Sequence, residues 1–87
     1  MQVSIEISMY PLRDEFIPPI NEFINTLNKA DSVEVKTNSI STQVFGDYDD
    51  VMDLLKVAMR RSHENWGTSV FVTKFLLGDS RAISGYD

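Results

Sequence analysis

Val3-Ser4-Ile5-Glu6-Ile7-Ser8-Met9-Tyr10 is followed at once by Pro11, and this run decides the fold. Val3, Ile5, Ile7 and Met9 alternate with Ser4, Glu6, Ser8 and Tyr10. A period of two over this length predicts a strand with one apolar face and one mainly polar face, ended by the proline. The next apolar residues keep a different spacing. Phe16, Ile20, Phe23, Ile24 and Leu27 fall on one stripe of an amphipathic helix. Pro18 and Pro19 suit a first turn, so the regular helix is expected to start near Pro18. Asp14, Glu15 and Glu22 are expected near its positive end and Lys29 near its negative end.

Working outward, Val33–Thr37 reads as a second strand, Asn38-Ser39 as a turn and Ser41–Phe45 as a third strand. Gly46-Asp47 is expected to break that strand, with Asp47 capping the helix that follows. Val51, Leu54, Leu55, Ala58 and Met59 form the second helical stripe, expected to end around Glu64. Val70–Leu77 is the last strand, and residues 80–87 are expected to form a mobile tail. The order is β-α-β-β-α-β. With right-handed crossovers it predicts an α+β fold of ferredoxin-like class. This is a sandwich with a four-stranded antiparallel sheet, strand order 4-1-3-2, and both helices on one face.

At 87 residues the chain has room for one domain, which buries about 60–65% of the surface its unfolded form exposes. Eight basic against thirteen acidic residues leave a net charge of −5, spread evenly along the chain. Nucleic-acid binding needs Lys and Arg gathered on one face, and the only basic group, Lys56, Arg60 and Arg61, sits late in a helix where the dipole favours cations. Neither a nucleic acid nor a membrane is therefore expected as a partner. The alternating N-terminus does not read as a signal peptide, and a cytoplasmic location is the expectation.

Catalysis is only weakly supported. There is no cysteine, and His63 is the only histidine. No G-x-S-x-G elbow, P-loop or G-x-G-x-x-G run occurs. The acids Asp47, Asp49, Asp50 and Asp53 are explained by a helix start. No enzyme activity, metal or cofactor is expected.

The topology instead gathers one candidate cleft. Ser8–Tyr10, the start of the first helix, the stretch Asn38–Gln43 and the loop Trp66–Thr68 should meet at one end of the sheet. Neutral hydrogen-bonding groups beside aromatic rings suit a small planar heteroaromatic ligand. The candidate ligand-binding residues are Tyr10, Asn38, Ser39, Ser41, Thr42, Gln43 and Glu6. Edge hydrogen bonds would come from Ser39, Ser41, Thr42 and Gln43, and ring contacts from Tyr10. Each has a plainer alternative. Tyr10 can pack at a subunit interface, and the hydroxyls and Asn38 can be hairpin chemistry. Glu6 can pair with Lys74 across the strands rather than serve as counter-charge to a cationic ligand. Trp66 can cap a core edge, and His63 can lie in solvent.

Three of these stretches carry a family likeness. Ser8-Met9-Tyr10-Pro11-Leu12, then Asn38-Ser39-Ile40-Ser41-Thr42-Gln43-Val44-Phe45-Gly46-Asp47, then Asp49-Asp50-Val51-Met52 resemble the YkoF-like thiamine/hydroxymethylpyrimidine-binding family. The resemblance covers nearly the whole chain. It implies a ferredoxin-like domain that binds thiamine or its hydroxymethylpyrimidine moiety without chemistry, as a carrier or sensor. It also implies pairing of such domains, in tandem or by oligomerisation. One copy here points to a homo-oligomer. Phe45 stands where some members carry an acidic residue, so their exact ligand does not carry over.

The last strand agrees with self-association. Val70, Val72 and Leu76 lie on one side, and Phe71, Phe75 and Leu77 on the other. Only one side can meet the helices, and an apolar patch on the open face predicts a dimer or tetramer. The rival function is a structural or regulatory module that binds another protein through that face.

Overall fold

In the computed structural model, which describes residues 1–82, the expected order of elements is present. It runs β1 (Gln2–Pro11), α1 (Ile17–Asn28), β2 (Val33–Thr37), β3 (Thr42–Asp47), α2 (Tyr48–Trp66) and β4 (Ser69–Leu77). The sheet order is β2-β3-β1-β4, every neighbouring pair antiparallel. This is the expected 4-1-3-2 ferredoxin-like sheet, with both helices on one face.

The alternation in β1 sorts its side chains as a pleated strand must. Val3, Ile5 and Ile7 are buried beneath the helices with Val44 of β3. Phe23 and Leu27 of α1 and Val51, Leu55 and Ala58 of α2 complete the core. Phe71 of β4 joins its edge, with its ring 5.0 Å from that of Phe23.

The boundaries differ from expectation where local geometry overrides composition. Gly46 does not break β3. It pairs with both Val3 and Val33 inside the sheet. A Cβ there would stand 3.1 Å from Val33 Cγ1 and 3.3 Å from Val51 Cγ2, so glycine lets α2 approach the sheet closely. Asp47 caps α2 as expected, its Oδ2 accepting from the N–H groups of Asp49 at 3.1 Å and Asp50 at 3.3 Å. That helix continues past Glu64 to Trp66. Gly67 stops it at φ 86°, a left-handed conformation that suits glycine. The start of α1 holds no acidic residue in its first turn; Asp14 and Glu15 precede the helix and Glu22 follows that turn. Proline in the first turn supplies the start instead.

Of the tail expected over 80–87, Ser80–Ala82 forms a 3-10 turn; residues 83–87 lie outside the described residues. The turn is tied to the open sheet face. Ser4 Oγ donates to the Gly78 carbonyl at 3.0 Å and accepts from Ser80 N at 2.9 Å. The Arg81 guanidinium lies 4.8 Å from the centroid of the Phe45 ring and bonds Glu34 and Asp79. Ser4 and Phe45 are buried there although they face away from the helices.

Candidate functional site

The hairpin between β2 and β3 is shaped by one side chain. Asn38 Oδ1 accepts from Ile40 N at 2.8 Å and from Ser41 N at 3.0 Å. The Asn38 N–H donates to the Ser41 carbonyl at 3.1 Å. An asparagine carbonyl bonded two and three residues on folds the chain back sharply, which is why Asn is favoured at such turns. The turn thrusts Ile40 outward, 85% exposed, and returns the chain into β3 with Ser41 and Thr42 buried.

Behind the turn, Thr42 Oγ1 and Thr37 Oγ1 share a hydrogen bond of 3.1 Å. Ser41 Oγ donates to Glu6 Oε2 at 3.0 Å. The other oxygen, Glu6 Oε1, lies 3.6 Å from Lys74 Nζ. Glu6 sits between Gln43 and Lys74 in the strand register, so the ion pair expected across β1 and β4 is formed. Both partners are substantially exposed, so the bridge adds little stability.

These residues border a cleft of about 230 Å³ at the Tyr10 end of the sheet. Its floor is apolar: Ile20, Phe23 and Ile24 of α1 meet Ile7 and Met9 of β1. One wall is the polar stretch Thr37–Thr42, and the other carries Ser8 and Tyr10. Tyr10 is 56% exposed, so its ring stands beside the opening. A greasy floor with hydroxyl and amide groups on the rim can hold one flat ring and read its edge.

Five of the seven candidate residues line this cleft: Tyr10, Asn38, Ser39, Ser41 and Thr42. Glu6 and Gln43 do not. Gln43 lies on the helix-free face, opposite Glu6 on one side and Lys36 on the other. Adjacent strand residues point to opposite faces, so Thr42 and Gln43 do not share a wall. Glu6 lies on that same helix-free face, where it accepts from Ser41 Oγ. Asn38 has a double role, because its carbonyl is spent on the turn while its residue borders the opening. The loop Trp66–Thr68 approaches the same end, where Leu12 N donates to the Thr68 carbonyl at 3.0 Å, but it contributes nothing to the lining. Arg13 covers the Trp66 ring at 5.1 Å instead.

The sequence places the start of the first helix at this end, but it marks Thr37 only as a strand end and Phe23 and Ile24 only as core. The helical stripe offered a signal: Ile20 and Ile24 extend it toward the sheet end, where apolar floor meets polar rim. A second, shallower groove runs between α1 and α2 beside Glu22, Lys29 and Arg61. It carries one acidic and two basic side chains, and it lacks an apolar floor. Among the described residues there is no group of three or more His, Cys, Asp or Glu side chains able to hold a metal ion. No described helix is long and apolar enough to cross a membrane.

The profile of the YKOF-related family matches residues 2–79. Solved structures similar to this chain include protein SP2199 of Streptococcus pneumoniae, at 24% identity and a TM-score of 0.84, covering 95% of this chain and 93% of that one. A Thermotoga maritima protein, provisionally named a thiamine biosynthesis/salvage protein, is 17% identical with a TM-score of 0.78 over 86% of this chain and 82% of that one. A Bacillus cereus domain of unknown function, DUF77, is 16% identical with a TM-score of 0.78 over 97% of this chain and 83% of that one. At these identities the likeness is one of fold. No curated protein matches the chain.

Proposed function

This chain belongs to the YKOF-related family, and from that premise we propose that it binds thiamine or its hydroxymethylpyrimidine moiety without catalysis, as a homo-oligomer that carries or senses the ligand inside the cell. The observation that carries this reading is the cleft itself. Its apolar floor and polar rim bring together five residues from separate stretches of chain. The thiamine association of the Thermotoga maritima neighbour supports the choice of ligand class.

Size favours the smaller ligand. Pockets for drug-sized molecules run to about 300–1,000 Å³. A cleft of about 230 Å³ suits one ring. Thiamine would leave its second ring outside, toward Tyr10 and Ile40.

Calorimetric titration with hydroxymethylpyrimidine and with thiamine tests the proposal. Saturable heat is expected with both, and Tyr10→Ala and Thr42→Ala should weaken it. Gln43→Ala, outside the cleft, should leave affinity within about twofold, since it removes no contact to the ligand. Silence at millimolar ligand would overturn the reading. It would then favour the rival, a protein-interaction module, which the exposed Val70, Val72 and Leu76 of the open face support.

A further inference from the structure

The two ladders of β1 end at different places. On the β4 side the pairing runs on to Pro11, opposite Ser69, and beyond it Leu12 N donates to the Thr68 carbonyl. On the β3 side it stops at Ile7, opposite Thr42. Successive residues of an antiparallel strand turn their N–H and C=O groups to alternate neighbours. The Leu12–Thr68 bond sets the even residues, Ser8 and Tyr10 among them, toward β4. Tyr48 N, donating to the Met1 carbonyl at 2.8 Å, sets the odd residues toward β3. Met9 therefore aims its N–H and C=O past the end of β3. Continued pairing would put Ile40 opposite it, but the Asn38 turn carries Ile40 away. The Ile40 N–H is spent on Asn38 Oδ1 at 2.8 Å, and the residue is 85% exposed. Pro11, the next odd residue, has no N–H, and proline is tolerated where no ladder bond is needed. The gap between this bare edge and the turn is the cleft, lined by Met9, Ile40 and Ser41.

We infer that the main chain of Met9 seats the ligand: its N–H and C=O, side by side on one strand edge, pair with a flat group that carries an acceptor beside an N–H donor. This rests on the ligand-binding reading above and names the atoms that hold the ligand's edge. Met9 is half-buried, and backbone groups away from water are almost always paired, so a ligand that bonds both gains where water serves poorly. The pair is what the next residue of β3 would have met, so the ring takes the place of one peptide unit. The open edge is one residue long. Ile7 is already paired with Thr42 and Pro11 lacks the donor, so an added peptide strand would gain too few bonds to hold there. The apolar floor of Ile20, Phe23 and Ile24 borders the same gap and takes the face of the ring.

Amide hydrogen exchange followed by NMR tests this. In the free protein the Met9 N–H is expected to exchange at least about tenfold faster than those of Ser8 and Tyr10, which face β4. Saturating hydroxymethylpyrimidine, whose amine stands beside a ring nitrogen, should slow Met9 by at least about tenfold, the factor one hydrogen bond is worth. Calorimetry on two variants gives a second readout. Met9→Pro deletes the N–H at an edge that tolerates proline, whereas Met9→Ala strips the same side chain and keeps the N–H. The proline variant should bind at least about tenfold more weakly than the alanine variant. If thermal melting shows Met9→Pro unfolded, the exchange measurement decides alone. Three results overturn the backbone inference and leave the binding reading standing: a Met9 N–H as slow as its neighbours in the free protein, one that stays fast in the saturated complex, or equal affinities of the two folded variants. No saturable heat with the wild-type protein overturns both.

Discussion

At Asn38 a single amide oxygen replaces two backbone partners and so sets the mouth of the cleft. Asn38→Ala should destabilise the protein by about 1–2 kcal/mol in urea unfolding, because each lost bond is worth roughly 0.5–1.5 kcal/mol. Asn38→Asp, which keeps the acceptor, should recover most of that loss. A second residue-scale expectation concerns Asp79. Hydrogen bonding from the Arg81 side chain holds its carboxyl below the usual carboxylate range, and the same contacts push the Arg81 guanidinium up. A carboxyl lowered in the folded state stabilises the fold fully above its unfolded pKa. That contribution fades as pH falls through the folded value. Carbon-detected titration by NMR should therefore find Asp79 ionised below the ordinary Asp range, and Arg81→Met should return it there. Residue chemistry of this kind was partly legible. Asn38 was recognisable as a turn former and Tyr10 as a ring at the sheet end. Gln43 departs from the expected cleft because alternation puts it with Glu6, on the face opposite to Thr42.

At the scale of elements, periodicity carried most of the information, since helix and strand spacings bury different sets of residues. Boundaries were harder, because they depend on what lies across the gap. Nothing near Gly46 in the chain says that Val33 and Val51 crowd it, so composition alone suggests a break. Gly46→Ala should cost about 1–3 kcal/mol through overpacking, because its nearest neighbours sit on packed elements. Asp47→Ala should cost about 1 kcal/mol, the usual loss of a helix cap. Thermal melts of the two variants separate the causes. A smaller substitution cannot rescue Gly46, whereas Ser or Asn at position 47 should restore the cap. The floor of the cleft belongs to this scale as well. It appears only when α1 is laid across β1, and a one-dimensional reading sees its residues simply as a stripe.

The whole molecule leaves its sheet unequally covered. Over β3 and the start of β1, Phe45 and Ser4 are closed off by the turn at Ser80–Ala82 and by Arg81. Over β4 nothing comparable exists among the described residues. Val72 is 53% exposed on the open face, with Val70 and Leu76 beside it. Lys74 reaches Glu6 but remains 82% exposed, so it does not roof the patch. The helix side of the same strand is bare too beyond Thr73. Phe75 is 50% and Leu77 66% exposed, because the helices pack over β1, β2 and β3 and stop short of this edge. An edge strand that is apolar on both faces and open along its backbone is a template for association. The proposed homo-oligomer accounts for all three exposures if a second copy covers β4. Sedimentation at micromolar concentration should then give a mass at least twice the 9.9 kDa of one chain. Val72→Asp should shift it toward the monomer, because an unpaired charge buried in an apolar contact is strongly unfavourable. The same change on a monomer would leave the mass alone and raise solubility. A wild-type protein sedimenting as a single chain would therefore separate a shape that merely tolerates exposed apolar surface from one completed by its own copy.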